Sequence, residues 1–290
     1  MRIDQQGEDN MILDGKKLAD DICQDLIARV DKLRTFGVTP CLIVVTTGAS
    51  DAGAVYANSK KKMAQKLGIN IITTHYDCLT HQDFAELVQS DMPIIFQMPL
   101  VGNVCYDEIT QELPCEMDVE GISYSNVADL AIGEGTLYVP CTPAAVMTLL
   151  DRNDIDVAGK TVCMVGRSNT VGRPLARLLE HRNATVILCH SKTPKSVLMN
   201  SMKMADVIVT ATGHRNILTA ADVIDWGVWL NEKVLIDVGI NRDEHGKVCG
   251  DFEPDIFHFC KAYTPVPGGV GPVTTAILMS NVIKFYERSL

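Results

Sequence analysis

Apolar residues recur along the chain in two spacings that alternate. From residue 15 to residue 36, Leu18, Ile22 and Leu26 begin a stripe at helical spacing, as in an amphipathic helix. The short apolar run CLIVVT (41–46) follows it and predicts a buried strand. Because this order repeats, we expect an α/β fold with a mostly parallel sheet. The further elements predicted in this half are helices over 54–66 and 80–89 and strands over 70–75 and 93–97.

The same order begins again after the segment Pro-Cys-Thr-Pro at 140–143, where we place a domain boundary. Strand and helix patterns then alternate, and a helix that is apolar on one side ends the chain. This second series predicts a second α/β domain. Its predicted helices cover 143–152, 171–182, 195–203, 220–226 and 272–288, and its strands cover 161–166, 184–189, 206–211 and 233–238.

Composition excludes several classes of function. A formal net charge of −10 argues against binding to nucleic acid or to a membrane surface. No run of about 18 apolar residues occurs, so we predict no membrane span. The polar leader at residues 1–10 has no apolar signal core. The ten cysteines form no C-x-x-C pair, and we interpret them as reduced core residues in a reducing compartment, without a metal site.

A glycine turn opens the second domain. The apolar strand at 161–166 ends at Gly166, and Gly172 opens the next predicted helix. This strand–turn–helix arrangement directs free N–H groups and the helix dipole towards a phosphate. The motif is incomplete, because Ser168 stands where the middle glycine of a dinucleotide-binding turn would lie. A purely structural turn is the alternative, but the βα units that follow favour a Rossmann-like nucleotide-binding domain.

The end of the next strand predicts which nucleotide binds. Enzymes that use NAD usually have a carboxylate there, which binds the ribose hydroxyl. This chain has His190, Ser191 and Lys192 at that position, and Arg167 lies in the glycine turn. Hydroxyls and cations suit a 2′-phosphate, so we predict NADP as the cofactor. The alternative is a solvated loop in which the lysine occurs by chance.

Several residues of the first domain suggest chemistry. Tyr56 and Lys60 are four apart on a predicted helix and share one face, although such pairs are also common on ordinary helix surfaces. Gln97 ends an apolar strand, and the carboxyl ends of strands line ligand clefts in α/β folds. Asp118 and Glu120 form a short acidic loop.

Taken together, these strings resemble the methylenetetrahydrofolate dehydrogenase/cyclohydrolase family over residues 11–288. Several of the strings are long and unusual, so their joint occurrence by chance is negligible. They are Tyr56-x-x-x-Lys60, Gln97-Met98-Pro99-Leu100, Asp118-Val119-Glu120-Gly121, Pro140-Cys141-Thr142-Pro143, Val165-Gly166-Arg167-Ser168, His190-Ser191-Lys192-Thr193, Asp237-Val238-Gly239-Ile240-Asn241 and Pro-Val-Pro-Gly-Gly-Val-Gly-Pro at 265–272.

The resemblance implies roles for individual residues. Lys60 would transfer protons in the cyclohydrolase step, with Tyr56, Gln97 and Asp118 as further catalytic residues. Tyr56 would stack on the folate, and the acidic loop would bind the amino-pyrimidine edge of the pterin. The implied substrate-binding residues are Tyr56, Leu100, Asp118, Glu120, Gly271 and Pro272, and the implied NADP-binding residues are Thr142, Gly166, Arg167, Ser168, Gly172, His190, Ser191 and Ile240.

The resemblance also implies an architecture and a reaction. We expect two α/β domains with a cleft between them: residues 1–139 with 271–290 bind folate, and residues 140–270 bind NADP. The final helix would return to pack on the first domain, and the Met98–Pro99 and Val266–Pro267 bonds would be cis. The enzyme would be a cytoplasmic homodimer that oxidises 5,10-methylenetetrahydrofolate and hydrolyses the methenyl product.

The chain departs from the family pattern at a few positions. Glu120 stands where Asp is usual, Gly53 where Ser is usual, and Val273 where Met is common. The stretch before Gln97 is also shorter than usual. None of these changes removes a catalytic group, but they leave open an enzyme with a weak or lost cyclohydrolase. A two-domain dehydrogenase of a small acid is another alternative, but it shares the architecture and not the Gln97, Asp118 and Gly-Gly-Val-Gly strings. A non-catalytic nucleotide sensor is a third, and it has no reason to retain Tyr56 and Lys60 together.

Overall fold

A computed structural model describes residues 10–48, 54–133 and 135–290, with the side chains of 54–58 outside that description. The predictions for residues 1–9 and for Gly53 therefore lie outside the described residues. The chain divides into two compact units. The six-strand unit contains the described residues up to Leu18 and Ala145–Val273. The three-strand unit contains Ala19–Ala144 and Thr274–Leu290.

Helices and strands alternate through most of the chain. The strands are β1 (Met11–Ile12), β2 (Cys41–Thr47), β3 (Asn70–Tyr76), β4 (Ile94–Phe96), β5 (Thr161–Val165), β6 (Thr185–Cys189), β7 (Val207–Thr210), β8 (Val234–Asp237), β9 (Asn241–Arg242), β10 (Val248–Cys249) and β11 (Ala262–Tyr263). The helices are α1 (Gly15–Thr35), α2 (Ala54–Leu67), α3 (His81–Val88), α4 (Tyr106–Glu112), α5 (Tyr124–Ile132), α6 (Cys141–Arg152), α7 (Gly172–His181), α8 (Lys195–Met204), α9 (Ala220–Trp226) and α10 (Val270–Glu287).

The six-strand unit is built on a parallel sheet with the order β1-β11-β8-β7-β5-β6. Residues of β7 and β8 are buried along their whole length, as expected for strands covered on both faces. From β6 to β11 the order is that of a doubly wound fold, in which the first strand of the series, β5, lies between the second and the third. The crevice beside the carboxyl end of β5 is therefore the expected ligand position.

The three-strand unit has a parallel sheet with β2 in the centre, between β3 and β4. One of its cores contains Leu26 and Val30 of α1 together with Leu278 and Val282 of α10. The C-terminal helix α10 thus packs beside α1. The prediction that the final helix returns to pack on the first domain is confirmed. Burial of these apolar side chains holds two ends of the sequence on one sheet.

The predicted helices and strands are all present, with ends within two residues of their predicted positions. The mixed α/β fold is confirmed. Sequence patterns did not predict the short helices α4 and α5 or the strands β1, β9, β10 and β11. Helix α5 begins at a local signal, because the Ser123 side chain accepts a hydrogen bond from Asn126 N, and it ends at Gly133 in the left-handed conformation.

The ten cysteines are all free thiols. Five of them are buried, as expected, but Cys78 and Cys105 are exposed, so the interpretation as core residues was wrong for these two. The Met98–Pro99 and Val266–Pro267 bonds are cis, as predicted. No helix in the part of the chain that the structure describes is long and apolar enough to cross a membrane.

The division into units differs in part from the predicted domain limits. Strand β1 pairs with β11, so the segment around Met11 belongs to the six-stranded sheet. The boundaries between the units fall inside α1, α6 and α10. The assignment of ligands to residues 1–139 with 271–290 and to 140–270 stays a prediction.

Gly250, which follows β10, packs against the carboxylate of Asp237 at the end of β8, and this close approach provides a test of the fold. The Asp237 carboxylate accepts backbone N–H bonds of 3.0 Å from Gly239, Asp251 and Phe252. A Cβ added at Gly250 would lie 2.0 Å from Asp237 Oδ2. Because three hydrogen bonds hold this carboxylate, Gly250→Ala should lower the free energy of unfolding by about 2–4 kcal/mol.

Urea unfolding measures this loss. Gly135→Ala is the control, because a Cβ added there meets nothing within 4 Å. Equal stability of the two variants would contradict the close approach at Gly250.

Candidate active site

A buried lysine lies at the centre of the candidate site. Lys60 is on α2 and is only 5 % exposed. Gln97 follows β4, and its backbone N–H donates to Val45 O of the central strand. Lys60 Nζ donates to Gln97 Oε1 at 3.4 Å. The structure thus brings together two residues that are 37 positions apart in sequence.

A carboxylate faces the same ammonium. Glu120 Oε1 lies 3.8 Å from Lys60 Nζ, and the Glu120 side chain is 28 % exposed. Removal from water raises the pKa of Glu120 above its ordinary value, while the positive charge of Lys60 opposes this. A partly open carboxylate next to a buried amine can exchange a proton with it or with a bound ligand.

Asp118 supports the acidic loop from inside. Its side chain is fully buried, and Oδ2 accepts hydrogen bonds from Ser123 N at 2.7 Å and from Asn126 Nδ2 at 2.8 Å. Among the described residues, Asp118 Oδ1 has no hydrogen-bond partner. Burial raises the pKa of Asp118, whereas the bonds from Asn126 and Ser123 lower it. Asp118 therefore fixes the conformation of the loop from which Glu120 extends.

Gly121 ends this loop in a conformation that other residues rarely adopt. Its φ is +73°, and an added Cβ would lie 2.5 Å from Tyr138 O. The Glu120 carbonyl accepts a hydrogen bond from Cys141 N at 3.2 Å. The loop backbone is therefore held just before Gly121, and a side chain at Gly121 would collide with the backbone at Tyr138.

Two groups near the acidic loop were not predicted as site residues. Tyr106, the first residue of α4, is half-buried; burial and then the charges of Glu120 and Asp118 raise its pKa. Cys141 is buried, and desolvation followed by the charge of Glu120 raises its pKa. Tyr106 lies in no motif. Cys141 belongs to the Pro-Cys-Thr-Pro string, which was a usable signal.

The six-strand unit contains the predicted nucleotide turn between β5 and α7. Gly166 has a φ of +124°, and an added Cβ would lie 2.4 Å from Ala211 O. A Cβ at Gly172 would lie 2.1 Å from Gly166 O. Ser168 Oγ accepts hydrogen bonds from the N–H groups of Val171 and Gly172. Both glycines are thus required for a tight turn, as close backbone approach to a dinucleotide demands.

The loop after the edge strand β6 was predicted to belong to the same site. Its backbone is folded by bonds from His190 N to Thr193 Oγ1 and from Lys192 N to His190 Nδ1. Ser191 and Lys192 are exposed, as is Arg167 in the glycine turn. Residues 190–193 contain no carboxylate. These donors fit the 2′-phosphate of NADP, whose charge a carboxylate would repel.

The remaining predicted residues lie in both units. Thr142, on α6, and Leu100 belong to the unit of Lys60, whereas exposed Ile240 follows β8 in the six-strand unit. Gly271 and Pro272 lie in the first turn of α10, in the six-strand unit. Tyr56 lies on α2 one turn before Lys60, and its side chain is outside the described residues.

Fold and site together define a class of protein. One unit has the sheet order and glycine turn of a dinucleotide-binding domain, and the other has a buried lysine with a carboxylate and an amide beside it. Such a chain is a two-domain α/β enzyme that uses a dinucleotide cofactor.

Comparison with known proteins identifies the family. The profile of the tetrahydrofolate dehydrogenase/cyclohydrolase catalytic domain matches residues 13–120, and that of the family's NAD(P)-binding domain matches residues 140–290. The chain belongs to this family, as the resemblance predicted. It is 38 % identical to the bifunctional protein FolD of Bacillus licheniformis over 96 % of this chain and 98 % of the relative. The FolD protein of Bacillus subtilis matches with the same identity and coverage.

Two solved structures agree with the fold. The bifunctional FolD methylenetetrahydrofolate dehydrogenase/cyclohydrolase of Campylobacter jejuni is 35 % identical and superposes with a TM-score of 0.90, covering 97 % of this chain and 99 % of that one. The Trypanosoma brucei enzyme, complexed with NADP cofactor and inhibitor, is 29 % identical with a TM-score of 0.87 over 97 % and 98 %.

The side chain of Asn126 hydrogen-bonds to the acidic loop and to two neighbouring segments. Its Nδ2 donates to Asp118 Oδ2 and to Cys115 O, and its Oδ1 accepts from Tyr138 N. Because Asn126 is fully buried, Asn126→Ala would remove three hydrogen bonds inside the protein, and Asp118 Oδ2 would keep only the bond from Ser123 N. We expect a loss of about 2–4 kcal/mol in the free energy of unfolding.

Thermal and urea unfolding measure this effect. The matched control is Ser125→Ala, at an exposed position on the same helix. A loss no larger than in the control would show that the loop does not depend on this amide.

Proposed function

We propose that the protein oxidises 5,10-methylenetetrahydrofolate to 5,10-methenyltetrahydrofolate with NADP and then hydrolyses the product to 10-formyltetrahydrofolate. The observation that carries the proposal is the buried Lys60 beside Gln97 and Glu120 in a chain of this family. Relatives that match over nearly the full length are named as bifunctional.

The dehydrogenase step depends on placement of the cofactor. NADP, when bound, supplies a nicotinamide ring that accepts the hydride from the folate carbon. The chain's own contribution is to hold the dinucleotide at the glycine turn. We assign Gly166, Arg167, Ser168 and Gly172 to the turn, and Thr142, His190, Ser191 and Ile240 to the remaining contacts. The support is the tight turn and the cationic, carboxylate-free loop at 190–193.

The hydrolytic step needs proton transfer near a developing charge. Water adds to the methenyl carbon and loses one proton to give a hydroxyl adduct. The hydroxyl then loses its proton as the bond from this carbon to N5 breaks, and N5 takes up a proton, so that the formyl group stays on N10. We assign the proton transfers to Lys60 Nζ. Gln97 would orient that amine by its hydrogen bond, and Asp118 would act through the loop that it supports.

Folate recognition is proposed for the residues that the family resemblance implies. Tyr56 would stack on the pterin, and Glu120, whose side chain is partly open, would bind its polar edge. Leu100, Gly271 and Pro272 would contribute further contacts. In this proposal, residues 1–139 with 271–290 bind the folate and residues 140–270 bind NADP.

An enzyme with the dehydrogenase activity alone is the alternative. It has no need of a buried lysine that is hydrogen-bonded to an amide and adjacent to a carboxylate. The geometry therefore favours both activities.

We infer that the protein works in the cytoplasm as a homodimer. All ten cysteines are free, which suits a reducing compartment. The outermost strand β6 exposes Leu188, and α8 exposes Val197, so apolar side chains are available for a second copy of the nucleotide-binding unit. Light scattering in solution tests this assembly, because a mass equal to one chain would exclude it.

An assay with 5,10-methylenetetrahydrofolate and either NADP or NAD tests the function. Rapid turnover with NADP and little accumulation of the methenyl product is the expected result. Turnover with accumulating methenyl product would favour the alternative, and the absence of turnover with either cofactor would refute the proposal.

Lys60→Met separates the two activities. Methionine fills similar space but carries no exchangeable proton, so hydrolysis of methenyltetrahydrofolate should fall by at least about 100-fold. Reduction of NADP should persist, because the hydride transfer does not use this amine. The control is Lys61→Met, at the exposed neighbouring position. Equal hydrolysis in the two variants would remove Lys60 from the mechanism.

Arg167→Ala tests the choice of cofactor. The KM for NADP should rise about tenfold to a hundredfold, because a charged hydrogen bond to the 2′-phosphate is lost. The KM for NAD, which lacks that phosphate, should hardly change. Arg173→Ala is the control, since its guanidinium is bonded to the Asn169 side chain. An equal rise for both cofactors would contradict the assignment.

A further inference from the structure

The acidic loop receives a hydrogen bond from a residue that no motif includes. Asn281 lies on α10, and its Nδ2 donates to Val119 O at 2.9 Å across 162 positions of sequence. The same amide nitrogen lies 3.6 Å from Cys141 Sγ, and that thiol donates to Val119 O at 3.4 Å. A polar side chain on the C-terminal helix thus reaches the residue directly before Glu120.

These contacts fix the backbone on both sides of Glu120. Val119 O belongs to the peptide plane that precedes the Glu120 Cα, and it is held by Asn281 and Cys141. Glu120 O belongs to the plane that follows, and it accepts from Cys141 N. Because a peptide unit is planar, fixing both planes fixes the direction of the bond from Cα to Cβ. The direction in which the Glu120 side chain leaves the backbone is therefore set from α6 and α10.

The Glu120 carboxylate interacts with several charged or titratable groups. Lys60 of α2 lies 3.8 Å away, and Asp118 of the same loop adds a negative charge that raises its pKa. After burial, the Glu120 charge raises the pKa of Tyr106 on α4 and of Cys141 on α6. A small displacement of the loop would change which of these groups the carboxylate meets, and small displacements at a reacting centre are costly to rate.

We propose that Asn281 is a positioning residue of the hydrolytic step, which holds the peptide between Val119 and Glu120 so that the Glu120 carboxylate stays beside Lys60. This inference rests on the proposed function. It assigns Asn281 no contact with substrate, and its effect passes through Glu120.

The test compares pH–rate profiles for the hydrolysis of 5,10-methenyltetrahydrofolate. Burial raises the pKa of Glu120 and the positive charge of Lys60 opposes this, so moving the Glu120 carboxylate away from Lys60 should raise that pKa further. Asn281→Ala should therefore move the acidic limb of the profile to higher pH and lower kcat by about tenfold or more. Glu120→Gln should remove this limb, and the double variant should have the profile of Glu120→Gln alone, because the two changes act on one group.

Ser280→Ala is the matched control. Ser280 is the preceding residue on α10, and its hydroxyl accepts a hydrogen bond from Arg29 rather than contacting the acidic loop. This variant loses a hydrogen bond of the same helix and should keep the wild-type profile. Asn281→Leu, which fills the space without the donor, replaces Asn281→Ala if the latter fails to fold, and its profile should shift in the same way.

The outcomes are distinguishable. If the wild-type protein does not hydrolyse the methenyl compound, the proposed function fails before any variant is compared. If the wild type is active and the Asn281 variants keep its pH profile while only their melting temperature falls, Asn281 is merely structural and the inference is wrong. Equal shifts in the Ser280 and Asn281 variants would also overturn it.

Discussion

A lysine held away from water imposes the main constraint on the three-strand unit. An ammonium in a protein interior needs polar partners, because the free energy lost with its hydration is large. Lys60 is 5 % exposed and has Gln97 and Glu120 as neighbours. Gln97 is delivered by the central sheet and Glu120 by the acidic loop, so the sheet register and the loop conformation must both be correct before the site exists.

The acidic loop meets that requirement through buried polar contacts from distant segments. Asp118 is bonded to Ser123 and Asn126, the Val119 carbonyl to Asn281, and the Glu120 carbonyl to Cys141 N. Buried networks of this kind are costly when one member is lost and rigid when all are present. Rigidity matters here because the loop presents a single partly exposed carboxylate to a buried amine.

In the six-strand unit, the predicted phosphate-binding turn depends on the backbone more than on particular side chains. Its glycine turn has no room for a Cβ atom at Gly166 or Gly172. The parallel pairing of β5 with β6 places the loop after β6 beside this turn. Binding a phosphate needs N–H groups and cations more than a unique side-chain constellation. This is why the cofactor could be predicted from a few residues, while the contacts that bring Lys60, Gln97 and Glu120 together required the fold.

The sequence by itself determined the alternation of helices and strands, the parallel sheets and the family, because apolar spacing and long motifs are local properties. It also singled out Lys60, Gln97 and Glu120 through motif strings. Only the tertiary structure decided that Asp118 is buried while Glu120 faces Lys60 and that Asn281 reaches Val119. It also decided that β1 belongs to the six-stranded sheet, although its residues were predicted to lie in the first domain. These are contacts between segments far apart in the chain, set by packing, and periodicity carries no information about them.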